Sequence, residues 1–224
     1  MQVRKALVAV VLFFIICNCA VTVQAQFYAG VLGGVATLSG DSRSLLGSTS
    51  SFSSYDPKNG PALEVLVGKN LSDYFTVQGE YIWNSNTLIL TSAAINNAGQ
   101  QSYQETRSSS QQSVIGDLLI YFRKRGSRLR PFLSVGVGFV HLASSQQQIN
   151  QLIGAPVLPP QHFSSDMTAL HVPVGLDVKL TKGWVFRYTF SETLSSNPIS
   201  HQLSPPASHN LQNFQNLFGF IKQF

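Results

Sequence analysis

Short windows of alternating apolar and small or polar side chains recur along most of the chain. In the window LHVPVGLDVKL, the apolar residues include Leu170 and Val174. His171 and Asp177 lie on the opposite face of the same window. A period of two is that of a β-strand, whose successive side chains point to opposite sides. The sequence therefore predicts an all-β fold in which each strand has one apolar face.

Eight such windows predict eight strands, and the connections between these strands fall into two classes of length. The strands are predicted at 26–37, 60–71, 74–85, 111–124, 129–142, 167–180, 184–193 and 211–224. Tight turns are predicted at 71–73, 125–128 and 181–183. Long connections, rich in Ser, Asn, Gln and Pro, are predicted at 38–59, 86–110, 143–166 and 194–210. Short turns at one end and long polar loops at the other are typical of a transmembrane β-barrel.

The composition of the second face distinguishes this fold from a soluble one. Alternation alone does not say which face is inside, so a soluble β-sandwich or a lipocalin-like barrel is the alternative. The polar face carries Gly, Ser, Thr and single charges, which are too small and polar for a soluble core. Charged residues make up 11% of the chain, against about 25% in an ordinary soluble domain. Both features favour a barrel with an apolar outside.

The first 25 residues have the pattern of a secretory signal peptide. A basic start is followed by an apolar run and by small residues before Ala25. We predict a cleaved signal peptide at 1–25 and a barrel domain at 26–224; the alternatives are an uncleaved membrane anchor and a lipoprotein anchor at Cys17 or Cys19. Both cysteines lie in this leader, so the mature chain is predicted to have no disulfide and no thiol nucleophile.

Aromatic residues are placed where a membrane barrel would meet the bilayer interface. Interface positions are predicted for Tyr28, Tyr81, Trp83, Tyr121, Trp184, Phe218, Phe220 and Phe224. The last strand, QNLFGFIKQF, ends on a phenylalanine and is predicted to pair with the first strand and close the barrel. Lys222 departs from the apolar pattern of its face and would snorkel to the interface.

Taken together, the leader, the eight strands, the two classes of connection and the terminal FGFIKQF resemble the small outer-membrane β-barrel family of the OmpA and OmpX kind. The resemblance covers 26–224. It implies an eight-stranded antiparallel transmembrane barrel with short periplasmic turns and four long extracellular loops, in the outer membrane of a Gram-negative-type bacterium. It also implies that Phe218, Phe220 and Phe224 form the signal read by the barrel-assembly machinery, and that outer-membrane lipid surrounds the barrel.

Charged residues on the polar face are predicted to form an ion-pair cluster inside the barrel. They are Glu64, Glu80, Asp117, Asp177, Lys179 and Arg187. A proton path, a narrow gate or an acid–base site is one interpretation. A network that neutralises itself around Arg187 is the favoured one, because unpaired buried charge is costly.

No residue pattern predicts catalysis, a metal site or a cofactor. A lipid A deacylase of this architecture would need a His-x-Ser pair, and the chain has none. The five histidines are scattered without ligand spacing, and the carboxylates are isolated along the sequence. We therefore predict that the protein is not an enzyme and that it holds no metal and no cofactor.

A basic turn and the long connections are the remaining candidates for contacts. The turn carries Arg123, Lys124, Arg125, Arg128 and Arg130 and is predicted to face periplasmic phospholipid headgroups or the cell wall. The formal net charge is +5, of which Arg4 and Lys5 in the leader contribute two, and the remainder is too small to indicate a nucleic-acid partner. An extracellular ligand would bind the loops at 38–59, 86–110, 143–166 and 194–210. The predicted role is structural or surface-interacting; the alternatives are a narrow pore for small or apolar solutes and a lipid A-modifying enzyme.

Overall fold

The computed structural model describes residues 27–39, 42–46, 51–96, 99–199 and 210–224, so the predicted signal peptide lies outside the described residues. These residues form ten strands. They are β1 Phe27–Ser39, β2 Ser42–Leu46, β3 Ser51–Pro57, β4 Gly60–Asn70, β5 Phe75–Asn96, β6 Gly99–Tyr121, β7 Leu129–Ile153, β8 His162–Lys179, β9 Trp184–Ser196 and β10 Asn210–Gln223. No helix in this part of the chain is long and apolar enough to cross a membrane.

Eight of the strands close into a ring. The order is β1, β4, β5, β6, β7, β8, β9 and β10, all neighbours antiparallel, and β10 pairs back onto β1. The β1–β10 register runs from Tyr28↔Gln223 to Ser39↔Gln212. Closure leaves no unpaired strand edge in the ring, which a bilayer requires. The predicted eight-stranded antiparallel barrel is confirmed.

The alternation of side chains is inside-out relative to a soluble barrel. Outward-facing residues such as Val137 and Phe139 are 67% and 70% exposed. Inward-facing residues on neighbouring strands, such as Asp117 and Ser134, are buried and polar. The apolar face therefore points outward, as predicted, and the lipocalin-like alternative is wrong.

Strands β5 to β8 are much longer than predicted and absorb most of two connections that we expected to be loops. Pairing between β5 and β6 continues to Asn96↔Gly99, and β6 pairs with β7 up to Ser102↔Ile153. Ser, Gln and Thr make up much of the extensions of β6 and β7. Polar residues give no hydrophobic alternation, so the period of two is invisible to a pattern search based on apolarity.

The predicted 38–59 connection contains a further hairpin. β2 pairs with β3, and β3 pairs with the far half of β5, from Ser51↔Ala94 to Pro57↔Leu88. β5 thus pairs with β4 near the short-turn end and with β3 near the long-loop end. The hairpin continues the wall beyond the ring on this side.

The interior is built in three levels. Near the short turns lies a cluster of charged residues. Above it, the Asn213 amide donates to Asn84 Oδ1 at 3.1 Å and to Gln111 Oε1 at 2.8 Å. Towards the long-loop end an apolar plug closes the lumen; it consists of Leu38, Leu88, Leu90, Tyr103, Val140, Leu142, Met167, Ala169, Ile199 and Leu211. The sequence analysis predicted only the charged level.

Not every predicted interface aromatic lies at the interface. Trp184 and Tyr81 are exposed on the outside, and so are the three terminal phenylalanines Phe218, Phe220 and Phe224. Tyr28 and Tyr121 are each 3% exposed and point into the barrel, so their prediction as interface anchors is wrong. Each lies on the inward face of its strand, where its hydroxyl finds polar partners.

Lys222 places its ammonium on the outside of the barrel. The ammonium donates to the Lys182 carbonyl at 2.6 Å and lies 5.4 Å from the centroid of the Trp184 ring. The lysine therefore reaches the short turn rather than the apolar band, as snorkelling side chains do.

Candidate functional site inside the barrel

Arg187 is the centre of the charged level. It lies opposite Asp177 in the β8–β9 register, with both side chains pointing inward. Arg187 Nε donates to Asp177 Oδ1 at 2.6 Å, and its second terminal nitrogen donates to Oδ2 at 2.8 Å. The same guanidinium donates to Gln78 Oε1 and to the Tyr121 hydroxyl, each at 2.7 Å. A bidentate carboxylate and two further acceptors satisfy a cation that is 1% exposed.

Aromatic rings complete the surroundings of this guanidinium. Its carbon lies 4.7 Å from the centroid of the Phe132 ring and 5.7 Å from that of Tyr28. The Tyr28 hydroxyl donates to Gln78 at 2.8 Å, which ties the ring to the same network. Ring faces stabilise a desolvated cation. Side chains on five strands therefore hold Arg187 in one position; these strands are β1, β5, β6, β7 and β8.

A second group of ionisable residues lies beside Arg187. His171 Nδ1, on β8, is 2.9 Å from Glu80 Oε1 on β5 and 3.2 Å from Asp117 Oδ2 on β6. The other oxygen of Glu80 accepts from the Gln78 amide at 2.8 Å, and Asp117 Oδ1 accepts from the Ser134 hydroxyl at 3.1 Å. All of these side chains are buried. Two carboxylates thus share one imidazole nitrogen across the lumen.

Glu64, on β4, is buried and lines the same space. It is 4% exposed. With Glu80 and His171 it lines a cavity of about 10 Å³. Such a cavity has room for about one water molecule.

The structure brings five of the six predicted cluster residues into the buried interior: Glu64, Glu80, Asp117, Asp177 and Arg187. Lys179 is a correction. It is the last residue of β8 and is exposed at the short-turn end, where the strand leaves the barrel. Sequence analysis missed His171, Gln78, Tyr28 and Tyr121 as members of the network. Their position on the polar face was the available signal for His171 and Gln78.

The predicted basic turn divides into two parts. Arg123, Lys124 and Arg128 are exposed, and Arg125 is half-buried. Arg130 is buried, with its guanidinium 3.7 Å from the centroid of the Tyr121 ring and donating to the Asp73 carbonyl at 3.0 Å. Arg130 is therefore an inward residue of β7 and not a surface residue, because it shares the strand parity of Phe132.

A further buried ion pair lies in the strand extensions beyond the apolar plug. Arg107 donates to Glu105 Oε1 at 2.8 Å and to the Ser144 hydroxyl at 3.0 Å. It also donates to the carbonyls of Pro160 and Gln161, at 2.8 and 3.1 Å. Arg107 thereby fixes the β7–β8 connection against the wall. This pair falls in a segment predicted to be a loop, so the sequence analysis missed it.

Ser134, Asp117 and His171 do not form a catalytic triad. The Ser134 hydroxyl donates to Asp117, and His171 contacts the other oxygen of the same carboxylate. A triad instead needs the hydroxyl to contact the imidazole. The arrangement is a network of one imidazole and two carboxylates.

Comparison with known proteins supports the architecture. The family model described as outer membrane protein beta-barrel domain matches residues 6–213. The comparison with curated proteins gave no match. Among solved structures, Neisserial surface protein A is 12% identical, with 88% of this chain and 97% of that chain covered and a TM-score of 0.55. OprG of Pseudomonas aeruginosa is 14% identical, with 89% and 96% covered and a TM-score of 0.50.

Both structural neighbours fall below 25% identity and so bear on the fold alone. The match to the family model spans most of the chain. The ring of eight strands and the apolar outside agree with it. The chain belongs to the outer membrane protein β-barrel domain family, and its location is the outer membrane of a Gram-negative-type bacterium.

Proposed function

We propose that this protein is a non-catalytic surface barrel, which is anchored in the outer membrane and presents strands β5 to β8 to partners outside the cell. The observation that carries the proposal is that these four strands continue as a paired wall far beyond the length needed to span a bilayer. β6 has 23 residues, whereas a tilted transmembrane strand needs about 10. Since long connections face the exterior in this family, the extension lies outside.

The surface of this extension is uncharged for the most part and carries apolar side chains at its far end. Ile95, Ile149, Leu152 and Val157 are all exposed there, among Ser, Gln and Asn residues. Arg107 holds the adjoining connection in place, so these side chains are presented on an ordered surface. Isolated apolar residues in a polar frame suit contact with a partner that is itself weakly charged.

The outward position of the extension is tested by labelling single cysteines in intact cells. Val157→Cys should react with a membrane-impermeant maleimide, because Val157 is 80% exposed at the long-loop end. Thr181→Cys, exposed in a short turn, should react only after the outer membrane is permeabilised. The reverse pattern of labelling would contradict the orientation and, with it, the surface role.

A narrow pore is less well supported, because the lumen is closed at two levels. The apolar plug closes the long-loop side, and the Arg187 network fills the lumen near the short turns. An eight-stranded barrel is only wide enough for side chains to fill it. We expect no steady conductance steps when the purified protein is inserted into planar lipid bilayers. Reproducible steps of one size would favour the pore.

An acyl-transferring enzyme is also less well supported. The ionisable residues that come together are buried inside the barrel, away from the lipid that such an enzyme would modify. Ser134 makes its contact with Asp117 and not with His171. We expect the mass spectrum of lipid A to be unchanged when the protein is expressed.

The terminal phenylalanine is proposed to act during assembly rather than in the folded core. Phe224 is 73% exposed on the outside, so it contributes little to interior packing. Phe224→Ser should lower the amount of folded protein in the outer membrane several-fold, while refolding of the purified chain in detergent stays near normal. Phe190→Ser, an outward phenylalanine on β9, is the matched control. Equal losses for both variants would mean that lipid contact, and not a terminal signal, is responsible.

A further inference from the structure

The group formed by Glu80, Asp117 and His171 has the geometry of a cation site. Each side chain offers one oxygen or nitrogen, and these atoms all lie within 4.8 Å of one another. His171 Nδ1 is 2.9 Å from Glu80 and 3.2 Å from Asp117. Ligands bound at about 2.1 Å around a tetrahedral ion are about 3.4 Å apart. Shifts of a few tenths of an ångström would therefore give these atoms the spacing of ligands around a small cation.

The charge balance of the interior points to a missing positive charge. Arg187 is engaged by both oxygens of Asp177, and the buried Arg130 lies against the Tyr121 ring and donates to the Asp73 carbonyl. This leaves the carboxyls of Glu64, Glu80 and Asp117 around a single imidazole, all of them buried. An excess of buried negative charge is costly unless protons or a cation compensate for it.

The surroundings of the nearby cavity give an independent indication of a ligand. His171 Nε2 is buried and has no hydrogen-bond partner among the described residues. Glu64 is 4% exposed and borders the cavity of about 10 Å³ that Glu80 and His171 also line. A buried carboxyl beside such a space is suited to complete the shell of a cation, directly or through one water molecule.

We propose that the barrel interior binds one divalent transition-metal cation through Glu80, Asp117 and His171, with Glu64 completing the shell. The imidazole nitrogen favours ions such as Zn²⁺, since Mg²⁺ and Ca²⁺ prefer shells made entirely of oxygen. The cation takes the place of the proton shared between His171 Nδ1 and the two carboxylates, so that one proton leaves to solvent when the ion binds to the protonated ring. The sequence analysis predicted no metal site because the three residues lie on separate strands.

The test uses untagged protein extracted from outer membranes, stripped with EDTA, dialysed and titrated with Zn²⁺ in detergent. We expect about one equivalent to bind, with proton release measured by calorimetry in two buffers of different ionisation enthalpy. An excess of Mg²⁺ or Ca²⁺ should not compete. Glu80→Gln and His171→Asn should each weaken binding at least about tenfold. Asp166→Asn is the matched control, because the exposed Asp166 also contacts a histidine, His141, at 2.7 Å.

A second variant keeps the test decisive if the interior substitutions prevent folding. Replacing the histidines at 141, 162, 201 and 209 by asparagine leaves His171 as the only imidazole in the chain. This variant should still bind one Zn²⁺. The proposal is overturned if the folded wild-type protein binds no Zn²⁺ or if the variant that keeps only His171 loses Zn²⁺ binding. It is also overturned if Asp166→Asn removes Zn²⁺ binding as completely as Glu80→Gln does.

Discussion

Arg187→Gln is expected to destabilise the folded barrel by about 3–5 kcal/mol, since removing one partner of a buried pair leaves an uncompensated charge. The substitution takes away both hydrogen bonds to Asp177 and frees the acceptors on Gln78 and Tyr121. The free energy of unfolding is measured by titrating the refolded protein with urea in detergent and following the species with folded gel mobility.

Two variants control this prediction. Arg123→Gln removes the same charge from an exposed turn and should change the free energy of unfolding by no more than about 0.5 kcal/mol. The double variant Asp177→Asn with Arg187→Gln should lower the free energy of unfolding by at least about 1 kcal/mol less than the sum of the two single variants. The reason is that the double variant leaves neither charge of the pair without its partner. Additive losses would mean that Arg187 and Asp177 do not stabilise one another.

Gly34→Ala is expected to interfere with closure of the barrel. Gly34 lies on β1 at the seam with β10, and a Cβ at this position would overlap the backbone carbonyl oxygen of Asn216. A backbone atom of the paired strand has no rotamer by which to move away, so the two strands must separate locally. Overpacking of this kind costs about 3 kcal/mol. Refolding yield in detergent and the urea midpoint measure the effect.

The neighbouring glycine provides the matched control. A Cβ at Gly33 would meet only the Ala62 carbonyl oxygen, at 3.9 Å, which is ordinary contact. Gly33→Ala makes the same chemical change on the same strand and should leave the folding yield close to that of the wild type. If both alanine variants folded equally well, the close approach of β1 and β10 at Gly34 would be wrong.

The membrane-spanning part of the fold could be predicted because its strands show a clear alternation of apolar and polar residues. Each of the eight predicted strands overlaps one strand of the ring, and Phe218, Phe220 and Phe224 face outward as expected. The strand extensions could not be predicted in this way. In 99–110, Ser, Gln and Thr alternate with other polar residues, so the inward position of Arg107 carries no hydropathy signal.

The candidate site could be predicted only in part. Strand parity placed Glu80, Asp117 and Arg187 on the inward face, but parity does not say which inward residues meet across the lumen. Glu80 and His171 come from β5 and β8, which are not paired, and their contact depends on the stagger of the closed ring. Strand parity also does not show where a strand leaves the barrel. Lys179 was therefore included in the predicted interior cluster, although its strand ends at the exposed rim.

The closed barrel on which both proposals depend is tested most directly by gel mobility. Protein from the outer-membrane fraction is run in detergent with and without prior boiling. A closed ring of eight strands resists mild detergent, so we predict a compact, fast-migrating species that shifts to the mobility of the unfolded chain only after heating. An identical mobility before and after boiling would contradict the account.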